Sequence, residues 1–238
     1  MLSISDFYTT TSKGMVFSEE QASDFAKGVA GDFNPIHDVG ARRFCVPGDL
    51  LFAALLDRYG VYQHLHADLM ALVSADVEVS LPQQLEAKND FRDTNDRHLL
   101  SLAATGEKTT DPTFVSSLVQ QYVQFSGKTF PDILVGLMQD NNVMINPARP
   151  LVIYKELSLQ LDRLNAPEPR LVDAGSTLEV DGKKGRACLR YEIQSENEQI
   201  GKGQKIMLLS GLREFDETAM TAIINEYNVW REAYKTSA

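Results

Sequence analysis

Ala30-Gly31-Asp32-Phe33-Asn34-Pro35-Ile36-His37-Asp38 is the stretch from which the rest of this chain is read. A helix-patterned segment runs into it. Ser18 with Gln21 makes a capping box, and Ala22, Phe25, Ala26 and Val29 recur at helical spacing behind it. Gly31 breaks that helix. Asn34-Pro35 then imposes an extended or turn conformation, because the residue before a proline is pushed out of the α region. Asp32 and His37 therefore sit on a stiffened loop, and a turn can bring both to one spot. An aspartate near a histidine can hold the imidazole in one tautomer, or share a water with it and move protons near neutral pH. The same residues also allow a purely architectural role, in which Asp32 bonds backbone N–H groups and His37 bonds Asp32.

Outward from the loop, Pro47-Gly48-Asp49 leads into Leu50-Leu51-Phe52-Ala53-Ala54-Leu55-Leu56, apolar on every side, which predicts a fully buried helix ended by Gly60. Asp49 near its start suits the helix dipole and is expected to cap free N–H groups. Gln63 to Asp68, with His64 and His66, is expected to be a solvated connector, since two histidines without a third ligand are weak evidence for a metal. Gly14 to Phe17, Ala75 to Leu81, Leu85 to Phe91 and His98 to Thr105 are strand candidates. Asp93 to Asp96 is a turn, and His98 beside it is expected to be exposed.

Thr109-Thr110-Asp111-Pro112 punctuates the chain and is the expected boundary. Phe114, Val115, Leu118, Val119, Tyr122, Val123 and Phe125 then form a helical stripe. Ser126-Gly127-Lys128-Thr129-Phe130-Pro131 breaks it, and an apolar helix is expected to resume over Asp132 to Met138. This order repeats that of the first half, with Ser126-Gly127-Lys128 where Gly31-Asp32 stood. A stiff turn is expected at Asn146-Pro147-Ala148-Arg149-Pro150. Strands are expected over Leu151 to Leu164, Ser176 to Val180, Ala187 to Gln194 and Gln204 to Leu212. A last helix over Asp216 to Tyr234 is expected on the outside of the sheet or at a subunit contact.

Gly31-Asp32-Phe33-Asn34-Pro35-Ile36-His37, followed by Ala41-Arg42, resembles the hydratase-2 motif of the MaoC-like dehydratases, over about residues 14–60. The whole chain also resembles a bacterial family of unknown function. The first resemblance implies a hotdog fold: a long helix wrapped by a curved antiparallel sheet. With two helix-then-strand runs, the expected architecture is an α+β tandem double hotdog, residues 1–110 carrying the motif and 111–238 a degenerate second unit with the C-terminal helix. It also implies a lyase reaction, hydration or dehydration of an acyl thioester of the enoyl-CoA or 3-hydroxyacyl-CoA type. Asp32 and His37 would be the general acid and base, Asn34 would order the loop or a water, and the Gly48 N–H would polarise the thioester carbonyl. Phe33, Arg42 and Arg43 would contact substrate, the arginines as a local basic patch; a solvated loop is the other reading of that pair. The family usually has His-Gly-Met or His-Gly-Leu where this chain has Pro47-Gly48-Asp49. An acid there opposes a developing oxyanion, which favours the alternative of a non-catalytic acyl-binding or regulatory hotdog protein. A thioesterase fits less well, since those enzymes usually lack the Asn-Pro-x-His loop.

The 238 residues, 43% hydrophobic, are enough for a sizeable core. A net charge of −10 argues against nucleic acid and anionic membrane surfaces as partners. Cys45 and Cys188 have no metal spacing and read as buried thiols of a reduced, cytoplasmic protein. No metal or cofactor is expected. The expected partner is a small acyl thioester, and the chain can also pair as a homodimer. Met1 to Asp6 has no signal-peptide pattern, and no apolar run approaches a membrane span.

Overall fold

The capping box forms as expected. The Ser18 hydroxyl accepts from the Gln21 N–H while the Gln21 side chain accepts from the Ser18 N–H, starting α1 (Glu19–Asp24). In this computed structural model, which describes residues 2–148 and 151–237, the chain runs on from α1 in wider π-type turns over Phe25–Ala30. Gly31 stops them at a φ of 73°, a conformation that favours glycine. The second helix, α2 (Gly48–Tyr59), is buried on all sides, each of Leu50 to Leu56 being at most 2% exposed. Gly60 ends it, again at positive φ.

Val61–Leu69, which follows at once, is a strand (β1), and it lies in the middle of the main sheet. The expectation of a solvated connector here is corrected. Leu65 and Ala67 point into the core and alternate with His64 and His66 on the other face, as a strand buried on one side requires. Lys88–Arg92 (β2) and His98–Thr109 (β3) complete the first meander. His98 is half-buried rather than exposed, its ring bonded to Ser101. Of Ala75 to Leu81 only Val79–Ser80 pairs, in a small sheet with Gly14–Val16 and Thr9–Thr10. The longer strand expected there is interrupted by Asp76, which takes a positive φ of 59° and bonds through its N–H to the Phe17 carbonyl.

Asp111 caps α3 (Pro112–Gly127) by accepting from the Phe114 N–H, with Pro112 at the first helical position. The seven stripe residues are all buried. Phe130 is extended between Thr129 and Ile133, so the helix breaks, and α4 (Leu134–Asp140) buries only Leu134 and Met138. The long buried helix of the second half is therefore α3, not the Asp132–Met138 segment. The four expected strands follow, as Val152–Leu161 (β4), Thr177–Asp181 (β6), Lys184–Ser195 (β7) and Glu198–Ser210 (β8), and Arg170–Asp173 (β5) is added to them. Arg149 and Pro150 of the expected turn lie outside the described residues. The last helix is α5 (Glu217–Ser237).

All eight strands form one antiparallel sheet, in the order β6-β7-β8-β4-β1-β3-β2, with β5 on β7. Its two runs of strands join where β1 pairs β4, from His64 opposite Gln160 to Asp68 opposite Glu156. Helices α2 and α3 lie together on the sheet: Phe52 meets Tyr122, and Tyr122 and Phe125 meet Tyr191 of β7. This is the α+β hotdog arrangement, helix against wrapped antiparallel sheet. Among the described residues no helix is long and apolar enough to cross a membrane.

The two helix breaks touch. A Cβ on Gly127 would collide with the backbone carbonyl of Ala30, beside Gly31. Backbone cannot swing aside as a side chain can, so Gly127→Ala should cost about 1–3 kcal/mol in denaturant unfolding. Gly136→Ala, with nothing within 4 Å of its Cβ, should instead stabilise by up to about 1 kcal/mol through helix propensity.

Candidate active site

Local bonds fix the motif loop. The Asp32 N–H donates to the Ala26 carbonyl at 2.8 Å, closing the helix end. Asp32 Oδ1 accepts from the Asn34 N–H at 2.9 Å. Asn34, extended as a pre-proline residue must be, accepts at its Oδ1 from the Ile36 N–H and so caps the single turn Pro35–His37. The turn buries His37. Its Nδ1 donates to the Cys45 carbonyl at 2.6 Å. A carbonyl only accepts, so in the neutral ring Nδ1 carries the proton and Nε2 keeps its lone pair. That Nε2 faces Asp32 Oδ2 at 3.8 Å. The gap is too long for a direct hydrogen bond and shorter than two of them, so one water oxygen can reach both atoms.

Burial pushes the Asp32 carboxyl above its ordinary range, with the nearby charge of Asp49 adding; His37 and the Asn34 N–H oppose the shift. Its side chain still keeps 27% of its surface accessible, and it lines a cavity of about 730 Å³. Cys45 is no nucleophile candidate: burial raises its thiol to about 11.

The cavity lies between the motif loop, the head of α2, residues 69–73, the break after α3, the start of β4 and helix α5. Ala26, Leu51, Leu134, Val152 and Ile223 give it apolar walls. Gly48 lines it as the first residue of α2, where the N–H has no intrahelical partner and no side chain caps the end. A Cβ there would meet Leu69 Cδ1 at 2.7 Å. Asp49 does not cap the helix as expected. It is 4% exposed, and its Oδ1 pairs with Lys205 Nζ at 2.9 Å across 156 residues of sequence. Lys205, on β8, is wholly buried and also donates to the Tyr122 carbonyl and to Ser126 Oγ, with the Tyr122 ring 3.5 Å from its nitrogen.

The structure thus gathers Asp32, Asn34, His37 and Gly48 around one cavity. It does not bring Phe33, Arg42 or Arg43 there. Phe33 packs behind the lining, edge-on against Tyr227 and Tyr234 of α5. The arginines are exposed on the turn beyond the loop. Helix α5 is expected on the outside of the sheet or at a subunit contact. It packs on the motif loop instead: the Tyr227 hydroxyl donates to the Gly31 carbonyl and accepts from the Phe33 N–H, and its ring meets Phe130. Burial and the charge of Asp32 push that hydroxyl to about 12. Lys205, Ser126, Tyr154 and Tyr227 went unremarked as site residues in the sequence. Lys205 directly before the apolar run Ile206-Met207-Leu208-Leu209 was the one local signal for any of them.

A family model described as protein of unknown function (DUF3581) matches residues 2–218, and the chain belongs to that family. No curated protein matches it. Among solved structures, a conserved protein of unknown function with hot dog fold from Alicyclobacillus acidocaldarius is similar at 9% identity, with 88% of this chain and 98% of that one covered and a TM-score of 0.43. A MaoC-like dehydratase is similar at 10% identity, 86% and 98% coverage and a TM-score of 0.41. The acyl-CoA thioesterase II TesB2 from Mycobacterium marinum is similar at 12% identity, 71% and 90% coverage and a TM-score of 0.39. At these values the likeness says nothing about the reaction.

Two measurements check this electrostatic and hydrogen-bond frame. Asp32 holds its proton more tightly folded than unfolded, so its ionisation opposes folding. The penalty is absent at low pH, grows as pH rises through the unfolded aspartate value of about 4, and is complete above the raised folded value. In denaturant titrations at a series of pH values, Asp32→Asn should therefore gain stability relative to wild type as pH rises across that window. Tyr227→Phe leaves the buried Phe33 N–H without its acceptor, and should cost about 1–3 kcal/mol with faster amide exchange in the motif loop.

Proposed function

We propose that this DUF3581 protein is a hydratase or dehydratase of acyl thioesters, working in the cavity beside the motif loop. The observation that carries the reading is the facing of Asp32 Oδ2 and His37 Nε2 at 3.8 Å, at a cavity that Gly48 at the head of α2 also lines. An enoyl thioester lying along the apolar walls would place its carbonyl at the head of α2. A water between Asp32 and His37 would then bond to C3 while giving one proton to the pair. C2 would take a proton from the pair as the enolate collapses, so the protein ends in its starting protonation state. Asn34 acts by holding the loop: its Oδ1 is used by the Ile36 N–H. A carrier such as coenzyme A, an acyl chain and one water are the only reactants this scheme needs, within a cavity of about 730 Å³, inside the usual range for small-molecule sites.

Residues 1–110 and 111–238 are, in the same reading, two hotdog units sharing one sheet. The β1–β4 junction and the contact between the two helix breaks support it. The alternative, a non-catalytic acyl-thioester binder, is favoured by a specific observation: Asp32 Oδ1 and His37 Nδ1 both have architectural bonds, to the Asn34 N–H and the Cys45 carbonyl.

Hydration of short, medium and long enoyl-CoA substrates, followed by loss of the enoyl absorbance, separates the two. Turnover by the wild type should fall by about 10²–10⁴-fold in Asp32→Asn and in His37→Ala. Thioester binding without turnover assigns the binder, and equal rates in all three proteins remove the pair from the chemistry.

A further inference from the structure

Lys205 is the one wholly buried charged side chain among the described residues, and the proton pair does not use it. An ammonium has three protons and no acceptor. Here three partners meet it: Asp49 Oδ1, the Tyr122 carbonyl and Ser126 Oγ. The first two can only accept. In the ammonium form Ser126 must accept as well, and this fixes its orientation. With its oxygen turned to Lys205, the Ser126 hydroxyl proton is left to point to the Tyr154 hydroxyl beside it or into the cavity that both residues line. Ser126 is 4% exposed and lines the same cavity as Asp32, His37 and Gly48. It reaches that wall because Gly127, the next residue, packs on the backbone of Ala30 and Gly31 at the mouth of the motif loop. Thr129, three residues on, also lines the cavity and is buried, with its hydroxyl beside that of Tyr154.

We propose that the Ser126 hydroxyl, turned by Lys205 to donate into the cavity, is a second hydrogen-bond donor to the thioester carbonyl beside the Gly48 N–H. Lys205 is a positioning residue in this scheme. It cancels the charge of Asp49 at the head of α2, and it withdraws electron density from the Ser126 oxygen, which makes that hydroxyl a stronger donor to a developing oxyanion. The Asp49 departure from the family pattern then does not oppose the oxyanion, because the acid comes with its own counter-charge. The inference rests on the acyl-thioester reading above and names one further group at that site.

The test uses saturated acyl-CoA thioesters labelled with ¹³C at the carbonyl, which bind without reacting, and reads the carbonyl stretch by infrared difference spectroscopy. Bound to the wild type, the stretch should lie below its value in water. Ser126→Ala should shift it back up, and Ser126→Cys, a weaker donor of nearly the same size, should fall between. With an enoyl-CoA, Ser126→Ala should lower kcat by about 10²–10³-fold, as the loss of one oxyanion donor does. The paired change Lys205→Met with Asp49→Asn removes both charges together. It should raise the stretch on its own, and adding Ser126→Ala to it should change little more. A merely structural Lys205 would change stability in that pair and leave the stretch where it was. Binding with an unshifted stretch in Ser126→Ala overturns the role of Ser126 and leaves the acyl site standing. Failure of every thioester to bind the wild type overturns both.

Discussion

Asp49 is a carboxylate with almost no contact with water at the start of the most deeply buried helix in the chain. A charge in that position has to be matched, and removing one member of a buried ion pair typically costs about 3–5 kcal/mol. The match comes from Lys205, on a strand in the other half of the chain. Much of the architecture follows from keeping these two together. Strand β8 must pass over α2 with Lys205 on its inner side. Helix α3 must supply the Tyr122 carbonyl and ring and the Ser126 oxygen that complete the ammonium's surroundings. One ion pair therefore ties α2, α3 and the sheet at the point where the cavity opens.

The parts of this fold that were legible in the sequence are those whose cause is local. Seven consecutive apolar residues after Gly48 specify a helix with no wet face, because nothing in that run could tolerate one. The motif loop announces itself through Gly31 and Asn34-Pro35, whose backbone restrictions act within two or three residues. Strand β1 was hidden by its own side chains. His64 and His66 alternate with Leu65 and Ala67 as any half-buried strand does, but histidine is at home in loops and strands alike, and the alternation had to be weighed without knowing that β4 lay beside it. Phe33 illustrates a second limit. It sits between Asp32 and Asn34 in the motif, yet its ring packs against Tyr227 and Tyr234 and does not line the cavity as its neighbours do. The identity of a residue in a tight loop does not give its direction.

Asp49 was misjudged for a related reason. An acid in the first turn of a helix has a ready local explanation in capping and the dipole, and nothing within several residues argues against it. The competing explanation sits 156 positions away. Burial decides between them: a cap keeps its carboxylate at the solvent edge of the helix, whereas this one is enclosed and has taken a lysine with it.

Residues before and after the punctuation at Thr109-Thr110-Asp111-Pro112 contribute different things to the cavity. The first part brings Asp32, His37 and Gly48 at the head of α2. The second brings Ser126 and Thr129 from the break after α3, Tyr154 from β4, and the helix whose Tyr227 holds the motif loop by both Gly31 and Phe33. The break after α3 places Ser126 and Gly127, a small hydroxyl and a glycine, against the loop that carries Asp32. A second carboxylate at that place would have faced Asp32 and Asp49 across a low-dielectric cavity, where like charges repel strongly. Under the proposed reaction, the difference between the two breaks is thus what leaves the cavity a single acid–base pair beside the carbonyl it would polarise.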